Sequence, residues 1–285
     1  MPTPPQLMLL FTGLAVMLTS NSAAADDYPE VTDALFGEMP VVLTAARLKQ
    51  PVNEVPASIT IIDQDMIRQS GARSLPEVLR MVPGIHLGYE GAYKPLLGYH
   101  GLIEDVSRRM QVLIDGRSVF EPALARLEWH NIPLALPDIL RIEVTRGPNT
   151  AAYGANAFLG VINIITVQPV DVIGGDVLIT RGDKNINDSM VRYATAQGSN
   201  QYRLTLGHRA DSGFDTKKNG DTRHDSYERT FLNGEWQRAF SAASKLRVTF
   251  GASDGKQQIE DLDDYELAPY HYQKNTSGFI QADWQ

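Results

Sequence analysis

The 285-residue chain contains no cysteine. Disulfides, thiolate metal sites and thiol nucleophiles are excluded with it. It has no run of lysine or arginine, and its net charge is −8. A nucleic-acid binder needs a basic stripe to displace counterions from phosphates, so no nucleic acid is expected as a partner. Six histidines (His86, His100, His130, His208, His224 and His271) are scattered without the close pairing of a zinc enzyme, so no metal site and no cofactor are expected. The acidic stretch Glu260–Glu266 lacks the glycine and spacing of an EF-hand loop and reads as a solvated loop. No Walker loop and no nucleophile elbow are expected, and an enzyme is not expected.

Long apolar runs are also scarce. Leu7–Leu18 is too short for a spanning helix, which needs roughly 20 apolar residues. It is followed by the small residues Ser22-Ala-Ala-Ala25, and the pair reads as a secretory signal peptide over 1–25, without Lys or Arg ahead of the apolar core.

What is present divides in two. Residues 46–168 carry mixed signals. Ser58-Ile-Thr-Ile-Ile62 reads as a strand, and Asp63 can cap a helix over 64–70 that closes at Gly71. Ser74-Leu-Pro-Glu77 has the form of a capping box, with Leu75, Val78, Leu79 and Val82 on one helical face. Strands are expected over 111–114, 142–145 and 161–166, and Asp115-Gly116 marks a tight turn. Tyr153-Gly-Ala-Asn-Ala-Phe-Leu-Gly160 is a glycine-studded lead into the apolar run Val161–Ile165. This is a small α+β domain.

From about Asp171 the helical signals stop. Segments of about ten residues alternate apolar and polar, the dyad pattern of an outer-membrane strand. Tyr202, Leu204 and Leu206 share one face, and Arg203 and Thr205 the other; Leu246, Val248 and Phe250 stand opposite Arg247 and Thr249. Six strands are expected near 173–182, 189–197, 201–210, 226–238, 244–253 and 276–285. Their connections alternate short (198–200, 240–243) and long (211–225, 254–274), which suits short periplasmic turns and long external loops. A soluble β-sandwich is the alternative, and Arg181-Gly-Asp183 reads as the start of a hairpin turn.

Five motifs in order resemble the TonB-dependent outer-membrane receptors. They are Val55–Ile62; Ser74–Leu79 with Val82-Pro-Gly-Ile85; Val112-Leu-Ile-Asp-Gly-Arg117; Ile142-Glu-Val-Thr-Arg-Gly-Pro148; and Tyr153-Gly through Gly160-Val-Ile-Asn-Ile-Ile165. Val41-Val-Leu-Thr-Ala45 is similar to the family's TonB box. The segment His100-Gly101-Leu102 departs from the family's Arg-Gly-aromatic step.

The resemblance implies an α+β plug domain (46–168) followed by antiparallel transmembrane β-barrel strands (171–285). About six strands of a barrel of about 22 would be present, so a fragment is expected. It implies an outer-membrane location reached by the signal peptide, with outer-membrane lipid as surroundings. It implies a periplasmic segment over 26–45 in which Glu38, Met39, Pro40, Val41, Val42, Leu43, Thr44 and Ala45 bind TonB by strand addition. Arg117, Arg141, Glu143 and Arg146 are expected to latch plug to barrel, with Glu143 and Arg146 foremost. Apical loops over 88–97 and 118–129 would offer Tyr89, Tyr93, Phe120 and Trp129 to a ligand, or else to packing against the barrel wall. The ligand expected is a ferric siderophore; the alternatives are cobalamin or carbohydrate uptake, or a passive surface protein serving bacteriocins or phages.

Overall fold

The computed structural model describes residues 41–42, 50–51, 57–103, 109–121, 127–214, 216, 224–241, 243–259 and 271–284. The expected signal peptide, residues 38–40 and 43–45 of the TonB box, and Gln285 lie outside them.

The first domain is built on a five-stranded sheet. Strands β3 (Ser58–Asp63), β6 (Met110–Ile114), β7 (Arg117–Ser118), β8 (Ile139–Arg146) and β9 (Gly160–Thr166) lie in the order β3-β8-β9-β6-β7. Only the β6–β9 pair is parallel. Successive side chains alternate between faces. One face therefore collects Ile62, Val112, Ile114, Ile142, Val144, Ile162 and Ile164, the centre of the hydrophobic core. The opposite face carries the buried polar residues Gln111, Glu143, Thr145 and Asn163.

Helices α1 (Gln64–Gln69) and α2 (Leu75–Leu79) place Ile67, Leu75, Val78 and Leu79 on the apolar face. Asp63 caps α1 as expected, its carboxylate accepting from the Met66 amide at 2.8 Å. The Ser74 capping box does not form. The Ser74 hydroxyl donates to Glu77 at 2.9 Å, while the other Glu77 oxygen accepts from the Arg73 amide at 2.8 Å. The glutamate reaches one residue beyond the cap, because Ser74 has turned toward its side chain instead of the helix amides.

Gly160 explains the glycine before the last apolar strand. A Cβ there would lie 2.5 Å from the Thr145 carbonyl oxygen, so only glycine lets β9 approach β8 at this register. The expected loop over 88–97 is instead a hairpin, β4 (Ile85–Gly91) with β5 (Lys94–Tyr99). Leu87 and Leu97 are paired within it, and Leu97 is in the core, which ties the segment down as strands. A further pair, β1 (Val41–Val42) with β2 (Gln50–Pro51), stands apart from these sheets.

The second region is one antiparallel sheet: β10 (Gly174–Gly182), β11 (Ile186–Gln197), β12 (Asn200–Asp211), β13 (Tyr227–Ser241), β14 (Ser244–Ile259) and β15 (His271–Trp284), paired in sequence order. The sheet is open, with β10 and β15 at its edges. The long connection expected over 254–274 is shorter than the pattern suggests. Asp254–Ile259 and His271–Thr276 continue the ladder in register, because backbone pairing does not require the side chains to be apolar.

Three successive outward rows are largely apolar: Tyr202–Trp236–Val248–Ala282, Tyr193–Leu204–Gly234–Phe250–Ile280 and Val191–Leu206–Leu232–Ala252–Gly278. The next row toward the long connections is Ser189–His208–Thr230–Asp254–Thr276. The outer face therefore switches from apolar to polar across one row, as a strand does on leaving a hydrocarbon layer. The inward positions Arg192, Arg203, Thr205, Asn233, Glu235, Gln237, Thr249 and Ser253 are buried and polar.

Candidate functional site

The first domain and the inner face of the sheet are joined by a continuous line of alternating charge. Asp115 meets Arg247 at 2.9 Å, and Arg247 meets Glu235 at 2.9 Å. Glu235 lies 3.4 Å from Arg203, Arg203 lies 3.1 Å from Asp138, Asp138 lies 3.0 Å from Arg192, and Arg192 lies 2.8 Å from Asp176. Asp115 and Asp138 belong to the first domain; the other five belong to the sheet. The Asp138 and Glu235 side chains are fully buried and Arg203 is 2% exposed. Such pairs give little net stability, since desolvation offsets their attraction. Removing one member is costly, about 3–5 kcal/mol, because its partner is left charged and buried.

Local structure positions each end. Asp115 and Gly116 both have positive φ, 48° and 81°, in the tight turn from β6 to β7. The Asp115 carboxylate accepts from the Thr166 amide at 3.0 Å and hydroxyl at 2.7 Å, which aims it at Arg247. Asp138 closes the Leu136–Asp138 turn that leads into β8.

A second grip holds the turn at Trp129–Asn131. The Arg229 guanidinium donates to the carbonyls of His130 and Ile132, and the Ser253 and Ser277 hydroxyls both donate to the Asn131 carbonyl at 2.9 Å. Burial between domain and sheet, with Arg229 and Arg209 nearby, pushes the His130 imidazole down to about 3, although a hydrogen bond to the Ala92 backbone works the other way.

A third grip lies at the end of the long connections. Arg73 forks onto Asp188 at 2.9 and 3.0 Å and reaches Asp211 at 3.1 Å. Burial acts to lower its pKa, but the Asp188 hydrogen bond and nearby negative charge prevail, and the guanidinium is held above its ordinary value. Beside it an open cavity of about 940 Å³ separates domain from sheet, bordered by Tyr89, Trp129, Phe214 and Tyr227. Burial, assisted by Glu77, pushes the Tyr89 phenol up to about 12.

The residues expected to latch the two parts make the following contacts. Glu143 is fully buried but accepts from Arg141 at 2.9 Å on its own strand, and Arg146 donates to the Ser58 hydroxyl on the neighbouring strand. These contacts are internal to the first domain. Arg117 does reach the sheet: its guanidinium sits 3.6 Å from the Phe279 ring centroid. Burial lowers its pKa while Asp115 opposes the shift. Where the ion line crosses between the two parts, the carboxylates (Asp115, Asp138) are on the domain and the guanidiniums on the sheet, whereas Arg73 reverses that polarity at Asp188 and Asp211.

Of the aromatic candidates, Tyr89 and Trp129 border the cavity, whereas Tyr93 and Phe120 are not among its lining residues. Trp129 is 8% exposed and belongs to the hydrophobic core, the packing alternative to ligand contact. Val41 and Val42 form the short pair with Gln50 and Pro51, and Val42 is buried. Among the described residues no cluster of three His, Asp or Glu is placed to hold a metal ion. Gly251-Ala-Ser-Asp-Gly255 has the spacing of a nucleophile elbow but lies inside β14, where Ser253 holds Asn131, so the required strand-to-helix turn is missing.

Sequence reasoning passed over Asp138, Arg192, Asp188, Phe214 and Asp225. Arg192 could have been found from the alternation of β11, as Arg203 and Arg247 were from theirs. Asp138 lies in a turn with no periodic signal.

Comparison with known proteins gives the same outline. Residues 51–161 match the family model described as the TonB-dependent Receptor Plug Domain. The chain is 30% identical over 288 aligned residues to a protein of Vibrio vulnificus named Vitamin B12 transporter BtuB, covering 98% of this chain and 44% of that protein. A Photobacterium profundum protein of the same name is 36% identical over 130 residues, 45% of this chain and 21% of its own length. The chain therefore spans less than half the length of these relatives. Among solved structures, the ferripyoverdine receptor of the outer membrane of Pseudomonas aeruginosa matches with a TM-score of 0.67 at 16% identity, over 86% of this chain and 34% of that one. The ferric yersiniabactin uptake receptor FyuA of Yersinia pestis matches with a TM-score of 0.62 at 18% identity, over 80% of this chain and 38% of that one. At these identities the solved structures establish the fold.

Proposed function

This chain is a TonB-dependent receptor over its plug and first barrel strands, and from that premise we propose that the complete protein performs TonB-energised uptake of a scarce nutrient complex across the outer membrane. The observation that carries the reading is the ion line from Asp115 to Asp176. It seats a plug firmly while contributing little net stability, which suits a closure that external work must open. An outer membrane holds no ATP, so that work must be delivered by a partner. Residues 38–45 are the proposed attachment for TonB, with Val41–Val42 able to exchange its partner Gln50–Pro51 for an added strand.

The cargo proposed is a cobalamin-type complex. The relatives that share sequence are named for vitamin B12, whereas the siderophore receptors share the fold alone. A ferric siderophore, the ligand expected from family resemblance, is the second reading.

The test uses the complete receptor in cells lacking their own. Cyanocobalamin uptake that disappears on deletion of 38–45, with surface binding retained, is the expected result. Uptake that survives the deletion would exclude energised transport. Uptake of ferripyoverdine without cyanocobalamin would replace the cargo while leaving the transport class in place.

A further inference from the structure

Asp225 is a carboxylate at the foot of the long connection between β12 and β13, and it is 2% exposed. Its Oδ2 accepts from the Ala92 amide at 2.9 Å, at the turn of the plug hairpin β4–β5. Its Oδ1 accepts from the Phe214 amide at 2.9 Å, at the opposite foot of the same connection. One buried carboxylate therefore fastens both feet of a barrel connection to a plug turn 133 residues away in sequence. Bonds from amides to a charged acceptor are shorter and stronger than neutral ones, and a buried carboxylate left without them is costly.

The neighbourhood is built around this fastening. Gly213 has φ +79°, and a Cβ on it would fall 2.0 Å from Asp225 Oδ1. The Gly213 amide donates to Asp211 at 3.0 Å, and Asp211 also meets plug residue Arg73 at 3.1 Å. Tyr89 of the plug and Phe214, whose amide Asp225 holds, pack edge to face with ring centroids 5.7 Å apart. Both rings border the cavity and both keep substantial exposure, 38% and 42%.

We propose that Asp225 is a positioning residue that assembles a two-part aromatic lip, Tyr89 from the plug and Phe214 from the barrel side, and makes the plug hairpin turn and the Phe214 and Asp225 ends of the connection move as one unit. The chemical class this lip takes is a ligand presenting an apolar or flat face, since exposed aromatic edges and faces offer contact area with little entropy to lose. Ligand contact on the connection is then transmitted to the plug hairpin through a single carboxylate. That use of the lip rests on the transport reading; the fastening does not.

The test is amide hydrogen exchange on the complete receptor in detergent, without ligand. Two variants act from the barrel side only. Asp225→Asn keeps the shape and removes the charge. Gly213→Ala drives the carboxylate out of its place. Both should speed exchange at Phe214 and at the distant plug amide Ala92 by about tenfold or more, while amides of β8 and β9 stay unchanged. Ala92 keeping its protection in Gly213→Ala would overturn the proposal. Equal acceleration in β8 and β9 would also overturn it, because the effect would then be general loosening. Should Gly213→Ala fail to fold, Asp225→Asn decides by the same criterion. The chain has no cysteine, so Ala92→Cys with Asp225→Cys gives an independent check: oxidation should restore slow exchange across the hairpin turn, and an oxidised pair that leaves it fast sinks the idea.

Discussion

Asp115, in the turn after β6, and Arg247, near the start of β14, meet at 2.9 Å although 132 residues separate them. Arg247 also forks onto Glu235 at 2.9 and 3.0 Å, so one guanidinium serves a plug carboxylate and a wall carboxylate together. Removing it should strand both. Arg247→Ala is expected to destabilise plug seating by about 3–5 kcal/mol, while Arg146→Ala, which removes a hydrogen bond to Ser58 inside the plug, should cost about 1 kcal/mol. Denaturant-induced plug release in the complete receptor measures both. Equal losses would refute the assignment of the seat to the ion line.

The same pair predicts non-additivity. In a double-mutant cycle, Asp115→Asn and Arg247→Met together should cost less than the sum of the singles, by about 1 kcal/mol or more. Additivity within about 0.5 kcal/mol would show that the two residues do not act as a unit.

Gly160 predicts a backbone effect at a position with no side chain to lose. Gly160→Ala places a Cβ 2.5 Å from the Thr145 oxygen and must push β9 from β8. A loss of about 1–3 kcal/mol is expected, readable as a lower melting temperature and as faster exchange at the Arg146 and Gly160 ladder amides. An unchanged melting temperature would contradict the close approach.

His130 predicts acid sensitivity of the grip at Trp129–Ile132. Its folded pKa lies below the ordinary 6.5, at about 3, with burial the main cause. Between those values the unfolded state binds more protons than the folded state, so stability falls as pH drops from 6.5 toward 3 and is fully retained above 6.5. His130→Gln should flatten the acid-side loss in a melting-temperature profile. A variant whose profile keeps the wild-type slope over that window would show that another group is responsible.

Much of the fold was legible in the sequence because strand patterning is local. The alternation in Tyr202–Leu206 and Leu246–Phe250 fixes which face is apolar whatever the partner strand is, and the register confirms it: Leu204 and Phe250 lie in one outward row, Arg203 and Thr249 in one inward row. The turn at Asp115-Gly116 and the cap at Asp63 are equally local. The capping box at Ser74 failed because Glu77 had a choice of neighbouring amides, and the hairpin over 85–99 was hidden because glycines and tyrosines in a loop-like stretch still pair when Ile85 on one strand and Leu97 on the other are buried.

The seat itself was only half legible. Sequence alone placed Arg203 and Arg247 on the inward face and showed that charged residues line the sheet's interior. It could not show that they meet Asp138 and Asp115. Nor could it show that Asp225 reaches Ala92. Periodicity determines the face a residue takes, because that depends on backbone geometry a few ångströms away. Pairing depends on which surfaces the whole chain brings within about 3 Å in a medium that screens charge poorly, and only the tertiary structure decides that.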